Sequence, residues 1–437
     1  MRKQAFEKIF LWLFIPLSLL MMVIMPITRT PDEPAHLQQV FIIADGQLLS
    51  SLTEKRASLP ENLLPENSGP AFDYGDMRSL FSQQLSANRY TMDTPTATAI
   101  YPPFSYFPQA LCMALCMLLT DNLGLILYSA RIGNYLCIVL TMYAAARLMP
   151  RSKRLFAVLA LLPMNLQQMI SASADGMAIA LVYLLTAFVL HCMEHKPRFT
   201  WKHRALLFTL GLTTWCFKMF YSPMVFLLCF IPARCFASRK QKVRQVTGAI
   251  AGGFGLMAAW ALTCYLLLFS GAQEGLTGQT MANLSTFFAN PADFLVKLAA
   301  TLKETGLIHL ASLFGYKSAL SWFNIMPGLP LTLASMALVL LAFILDDAAM
   351  PRKGFRLTSG GLSVLCTVLV FLMLYLWWTP AESLHVEGFQ SRYLLPLLLP
   401  LGIACKPRCK QVNHQWLLLA AAVLIDLGYL WKIVVQV

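Results

Sequence analysis

Apolar residues fill this chain in long runs broken by short polar stretches. Runs of 15 to 24 residues lie near 9–27, 124–146, 155–170, 177–193, 205–219, 221–236, 247–270, 328–346, 361–379, 391–405 and 415–434. A helix needs roughly 20 apolar residues to cross a hydrocarbon layer about 30 Å thick. The pattern therefore predicts an all-α integral membrane protein, a single polytopic domain over 1–437 with about eleven transmembrane helices. The runs at 205–219 and 221–236 are short for a bilayer, which predicts broken or tilted helices. A further apolar stretch, "YPPFSYFPQALCMALCMLLT" (101–120), carries Pro102, Pro103 and Pro108 at its start. We read it as a juxtamembrane or re-entrant helix near 102–120; the alternative is a true span.

The polar stretches fix a topology. Basic residues cluster at 2–8, 147–154, 196–204, 234–244, 352–356 and 406–410. Placing these clusters in the cytoplasm satisfies the positive-inside rule if 102–120 does not cross. The first run then reads as an uncleaved signal anchor with its N-terminus inside. The largest extracytoplasmic loop is 28–123, with ten acids and five basic residues. Its Pro- and Asn-rich middle, 60–70, is expected to be irregular. The second is 271–327, with a surface helix expected from Pro291 to Thr305 because Asn290-Pro291 reads as N-cap and first helical position. The third is 380–390.

Composition adds exclusions. With 57% apolar and 13% charged residues the chain is neither disordered nor an ordinary soluble domain. A net charge of +13 could suggest nucleic acid, but the clusters between apolar runs point to the membrane instead. The eleven Cys form no CxxC pair and read as small core hydrophobes. No internal repeat is visible, which weakens an inverted-repeat transporter.

Against this background several charges share one level. Asp32 and Glu33 follow the first span in "TPDEPAH", with His36 close by. Arg131 lies inside the second span, Asp175 in the turn "SASADG", Lys218 in "FKMFYSP" and Arg392 in "GFQSRYLLP". A charge in hydrocarbon is costly and usually faces a partner or a wet cavity. Ordinary explanations exist for each: Asp175 and the Asp-Glu pair as helix caps, the cations as snorkelling side chains, His36 as an i,i+4 partner of Asp32. Their convergence is harder to explain that way. The types suit sugar transfer from an anionic lipid-linked donor. Cations would hold a phosphate, and a carboxylate would take a proton from an acceptor hydroxyl. The phosphate leaves without needing a second carboxylic acid, unlike hydrolysis by a carboxyl pair.

The arrangement resembles the GT-C class of polytopic membrane glycosyltransferases. It is most similar to a bacterial membrane family catalogued mainly as a domain of unknown function, through "PDEPAH" (31–36), "YPPFSYFPQA" (101–110), "LLPMNLQQMISASAD" (161–175), "KMFYSP" (218–223) and "FQSRYLLPLLLP" (389–400). The resemblance implies Asp32 as catalytic carboxylate with Glu33 beside it, and Arg131, Lys218 and Arg392 on the donor phosphate. His36, Tyr101, Asp175, Tyr221, Gln390 and Tyr393 would bind substrate or support the site. It implies an inverting transfer from a polyprenyl-phosphate sugar to a cell-envelope glycan or lipid-linked acceptor, at the extracytoplasmic face of a bacterial cytoplasmic membrane. A divalent cation, Mg or Mn, at Asp32, Glu33 and His36 stays open, although adjacent carboxylates with one His are a weak metal signature. A transporter or flippase for an anionic lipid-linked glycan, and a glycan polymerase or ligase, are the alternative readings.

Overall fold

The computed structural model describes residues 6–93, 98–269, 276–317, 320–322, 324–346, 351–407 and 415–437. Residues 1–5 and 408–410 of the basic clusters, 94–97 of the first expected loop, and 271–275, 318–319 and 323 of the second lie outside the described residues.

The first apolar run forms α1 (Phe6–Ile24). The segment after it is ordered around a core of its own. It holds α2 (Glu33–Ala44), α3 (Leu48–Thr53) and α4 (Tyr74–Leu80, opened by an Asp73–Asp76 capping box). Strand β1 (Arg56–Pro60) pairs antiparallel with β2 (Arg89–Asp93), Leu59 opposite Tyr90. Leu37, Phe41, Leu59, Phe72 and Leu80 pack with Tyr106, Met113, Ile126 and Ala172, so this segment is fastened to the helices rather than hanging from them. Residues 61–73 carry no helix or strand, in line with the Pro-rich pattern.

The stretch expected near 102–120 is a single helical turn, Pro103–Tyr106, followed by α5 (Phe107–Met117). At 11 residues, α5 rises about 16 Å, half of a hydrocarbon layer. Gln109, Ala110 and Met113 face inward, while Phe107, Leu111 and Leu115 are exposed. α5 packs closely on α6 (Leu123–Leu148), whose Gly133 lies under Pro108: a Cβ there would sit 2.3 Å from the Pro108 carbonyl oxygen.

Beyond α6 come α7 (Lys153–Ala160) and α8 (Pro163–Ile170), then α9 (Ala174–His195) and α10 (Trp201–Cys216). Next are a 3-10 segment, Met219–Phe230, and α11 (Arg239–Cys264). The second expected loop contains α12 (Leu276–Ala289) and α13 (Pro291–Ser312); α13 begins at the expected proline and runs further than expected. The chain finishes with α14 (Leu329–Ile344), α15 (Lys353–Trp377), a 3-10 segment at Ser391–Leu397 leading into α16 (Leu398–Cys405), and α17 (Gln415–Gln436).

Among the described residues six helical stretches are long and apolar enough to cross a membrane: Phe6–Ile24, Leu123–Leu148, Ala174–His195, Arg239–Leu267, Lys353–Trp377 and Leu417–Gln436. They account for six of the eleven expected spans. The other five are short or broken elements. The run 155–170 is two eight-residue helices, because Pro163 cannot donate to the preceding turn. Every residue from Leu155 to Leu190 is buried, so α7, α8 and most of α9 form the interior rather than the lipid-facing wall. The runs 205–219 and 221–236 become α10 and a 3-10 segment carrying Pro223, and 391–405 is part 3-10, part α. The cysteines among the described residues are free, most of them buried or half-buried.

Candidate functional site

Two charged groups assemble where α1, α2, α6, α9, α10 and the 391–397 turn meet, and local backbone chemistry puts each side chain there. After α1 the chain turns through Thr28 and Asp32, both with left-handed backbones (φ +72° and +64°). A β-branched threonine in that region is strained. The turn throws Asp32 and Glu33 to opposite sides. Pro34 sits in the first turn of α2 and costs it no hydrogen bond. Asp175 lies in the first turn of α9, whose positive dipole end favours a carboxylate. Lys218 occupies the extended break between α10 and the 3-10 segment (φ −154°), beside the negative end of α10.

Glu33 faces Arg131. Arg131 donates from Nε to Glu33 Oε1 at 2.8 Å and from Nη2 to Oε2 at 2.7 Å, and neither side chain is exposed. The remaining donors of Arg131 reach carbonyls at the end of α1: Met22 at 3.3 Å, Met25 at 2.7 Å and Pro26 at 2.9 Å. Glu33 also accepts from the backbone amides of Thr28 and Ala172, each at 3.0 Å. Both ions are thus saturated within the protein. The arrangement joins α1, α2, α6 and the α8–α9 turn, and it gives neither residue a free face for a ligand. The resemblance implies Glu33 beside the catalytic carboxylate and Arg131 on a phosphate; the structure pairs the two with each other in this bidentate clamp.

Asp32 turns the other way. Its side chain does not cap α2; it accepts from Arg392 Nη2. Arg392 donates from Nη1 to Asp175 Oδ2 at 2.9 Å and to the Pro31 carbonyl at 3.0 Å, and from Nε to Gln390 Oε1 at 2.5 Å. Asp175 Oδ1 pairs with Lys218 Nζ. Capping of α9 falls to Ser173, which accepts from the Asp175 amide at 3.3 Å, so Asp175 is free to bridge the two cations. The result is a quartet of two carboxylates and two cations with no net charge.

The quartet is unevenly buried. The side chains of Arg392, Lys218 and Asp175 are 1%, 5% and 9% exposed, whereas that of Asp32 is 43% exposed. Burial raises the Asp32 carboxyl pKa, but the charge of Arg392 and its hydrogen bond outweigh it and leave the carboxyl below its ordinary value. Asp32 is ionised at neutral pH and is the reachable member of the group.

Aromatic residues line the cluster. Tyr393 lies under both cations, with Lys218 Nζ 5.5 Å and the Arg392 guanidinium carbon 5.2 Å from its ring centroid. Its carbonyl accepts from Tyr221 Oη at 2.6 Å. His36 stacks on Tyr101 at 6.0 Å, and its Nδ1 meets Tyr106 Oη at 2.8 Å. Burial, first, and the nearby cations Lys218 and Arg392 push His36 down to about 4 against the opposing pull of Asp175 and Asp32, so it is neutral. Burial also raises the phenols of Tyr101 and Tyr106. Tyr106, fully buried, was not singled out from sequence; its signal was its place in "YPPFSYFPQA".

Beside the aromatic wall is an apolar cavity of about 340 Å³. Ile100, Tyr101, Phe220, Met257, Ala261, Met373 and Trp377 line it. Tyr101 thus faces both His36 and the cavity, and Phe220, 5.7 Å from Lys218 Nζ, joins the cavity to the quartet. On another side the segment 320–322 closes the turn: Arg29 Nε donates to Ser321 Oγ at 3.0 Å, and Trp322 Nε1 to the Thr28 carbonyl at 3.0 Å. Neither contact was anticipated, since nothing in sequence relates positions nearly 300 residues apart.

Asp32, Glu33 and His36, left open as a cation site, do not converge. Glu33 is committed to Arg131 and His36 Nδ1 to Tyr106, and among the described residues no group of three or more His, Cys, Asp or Glu side chains is placed to hold a metal ion.

The chain belongs to the family described as "Predicted membrane protein (DUF2142)", whose pattern matches residues 15–401. No curated protein and no solved structure matches it.

Proposed function

We propose that this member of the family is a membrane glycosyltransferase of the GT-C type. It takes a sugar from a polyprenyl-phosphate donor and transfers it, with inversion, to a glycan or lipid-linked acceptor of the cell envelope, outside the bacterial cytoplasmic membrane. The observation that carries the reading is the pairing of an exposed, ionised carboxylate with two buried cations beside an apolar cavity. Those are the three things such a reaction requires. Asp32 acts as the base, accepting the acceptor hydroxyl proton as its oxygen attacks the anomeric carbon. Lys218 and Arg392 stabilise the phosphate as the bond to the sugar breaks. The cavity between Tyr101, Phe220 and Met257 receives part of the polyprenyl chain.

In this reading fewer residues act directly than the resemblance implies. Glu33 and Arg131 hold the turn that presents Asp32, and Asp175 and Tyr393 hold the cations. Neutral His36 is within reach of the same region and supplies a hydrogen bond rather than a charge.

The reading is tested with purified protein in lipid, supplied with labelled polyprenyl-phosphate sugars and envelope acceptors. Wild type is expected to release polyprenyl phosphate, and Asp32→Asn to lose that release by a factor of about 100 or more. Donor that binds but is never cleaved, with binding lost in Lys218→Met, would support a carrier for anionic lipid-linked glycans instead.

A further inference from the structure

The two carboxylates of the quartet are not equivalent. Asp175 bridges the cations, one oxygen on Lys218 and the other on Arg392 Nη1, from the rigid first turn of α9 at 9% exposure. Asp32 holds only Arg392, through Nη2, from a strained turn, with 43% of its side chain exposed. Four of the five guanidinium N–H groups are taken: Nε by Gln390, both of Nη1 by Asp175 and the Pro31 carbonyl, and one of Nη2 by Asp32. An incoming anion therefore meets a neutral group with no charge to spare. Adding an anion to a poorly hydrated neutral site is costly unless a resident anion gives way. Asp32 is the member with a path to water, and the arriving anion restores the balance at Arg392 when it leaves.

We propose that Asp32 is masked at rest by Arg392, and that an arriving phosphate takes over Arg392 Nη2 and so releases Asp32 as a free base. This rests on the glycosyltransferase reading and adds regulation to it. The resting pair keeps Asp32 a weak base and keeps water from being activated while no donor is bound. The ligand phosphate inserts against Lys218 and Arg392, Asp175 stays as the strut between them, and Asp32 swings toward the acceptor side. With a second anion beside it and its cation lost, the carboxylate becomes more basic where the acceptor hydroxyl arrives. No covalent step is involved in the exchange.

The consequence is that Asp32 competes with the ligand. Removing its charge should tighten phosphate binding even as it abolishes transfer, the reverse of what a substrate-binding carboxylate does. The probe is undecaprenyl phosphate without sugar, titrated into purified protein in lipid nanodiscs, with inorganic pyrophosphate as a second anion. Asp32→Asn is expected to bind undecaprenyl phosphate about two to five times more tightly than wild type, the size expected for losing one partly exposed competing ion pair. Asp32→Gly, which also tolerates the left-handed backbone, should do the same and guards against a folding defect in either variant. Equal or weaker binding in both variants would overturn the masking while leaving the donor class intact. If neither anion binds to any form of the protein, the donor reading falls and the masking with it.

Discussion

At the level of single residues, the pair Asp32-Glu33 shows what the chain reveals about itself and what it hides. That two acids between prolines matter was legible from their position after the first span. That they do opposite jobs was not, because it depends on the left-handed backbone at Asp32, which sends neighbouring side chains to opposite sides. The division is testable. Breaking a fully buried, hydrogen-bonded ion pair from one side costs about 3–5 kcal/mol. Glu33→Gln and Arg131→Met should each lower the melting temperature markedly in detergent, and Glu33→Leu combined with Arg131→Leu should recover much of that loss. A Glu33 variant that melts like wild type yet transfers no sugar would return Glu33 to the chemistry.

His36 adds a pH dependence. Folding lowers its pKa from 6.5 to about 4, so between those values the unfolded chain binds the extra proton. Stability contributed by the neutral imidazole is therefore complete above about pH 6.5, falls as the pH drops through that window, and levels off near pH 4. His36→Gln should flatten this limb of a melting-temperature profile, whereas an unchanged slope would place the titration elsewhere. Tyr106→Phe removes the partner at Nδ1 and frees the ring to change tautomer. It should reduce transfer several-fold and shift its pH profile without a matching loss of stability; activity and profile like those of wild type would deny Tyr106 this role.

At the level of elements, the long uninterrupted runs were legible, as was the break between 205–219 and 221–236, whereas the interruptions at 155–170 and 391–405 were not. Periods and lengths identify α1, α6, α9, α11, α15 and α17 as long helices. They cannot tell a span from a buried pair of short helices such as α7 and α8, since both are uniformly apolar. The breaks carry function in our account: Lys218 occupies one and Arg392 opens another. Close packing is similarly silent in sequence. α10 and α11 touch at Gly211 and Gly253, where a Cβ on Gly253 would lie 2.2 Å from the Gly211 carbonyl oxygen. Small residues at such crossings let helices approach in lipid. Gly253→Val should force this pair apart, lower the melting temperature, and weaken binding of a long-chain lipid at the cavity that Met257 and Ala261 line on the same helix. Unchanged melting would mean that the contact can relax freely.

At the level of the whole molecule, the sequence-derived topology brings every candidate charge to one level, and the fold brings Asp32, Asp175, Lys218 and Arg392 into one bonded group. Topology could reach the common level because helix ends are set by charge and length. It could not reach the pairing, which depends on side-chain directions across six elements. One further buried acid stands apart. Asp426 on α17 is 1% exposed, and among the described residues neither carboxyl oxygen has a hydrogen-bond partner. An unpaired buried acid destabilises its surroundings. Asp426→Leu should therefore raise the melting temperature and leave transfer intact; loss of transfer in a well-folded variant would give Asp426 a part in function.

The most direct test of the central claim is a structure of the protein in nanodiscs with undecaprenyl phosphate. The account predicts phosphate density within hydrogen-bonding distance of Lys218 Nζ and Arg392 Nη2, the first part of the chain along Tyr101, Phe220 and Met257, and the Asp32 carboxylate moved off Arg392. Phosphate density away from Lys218 and Arg392, with the quartet unchanged, would contradict it.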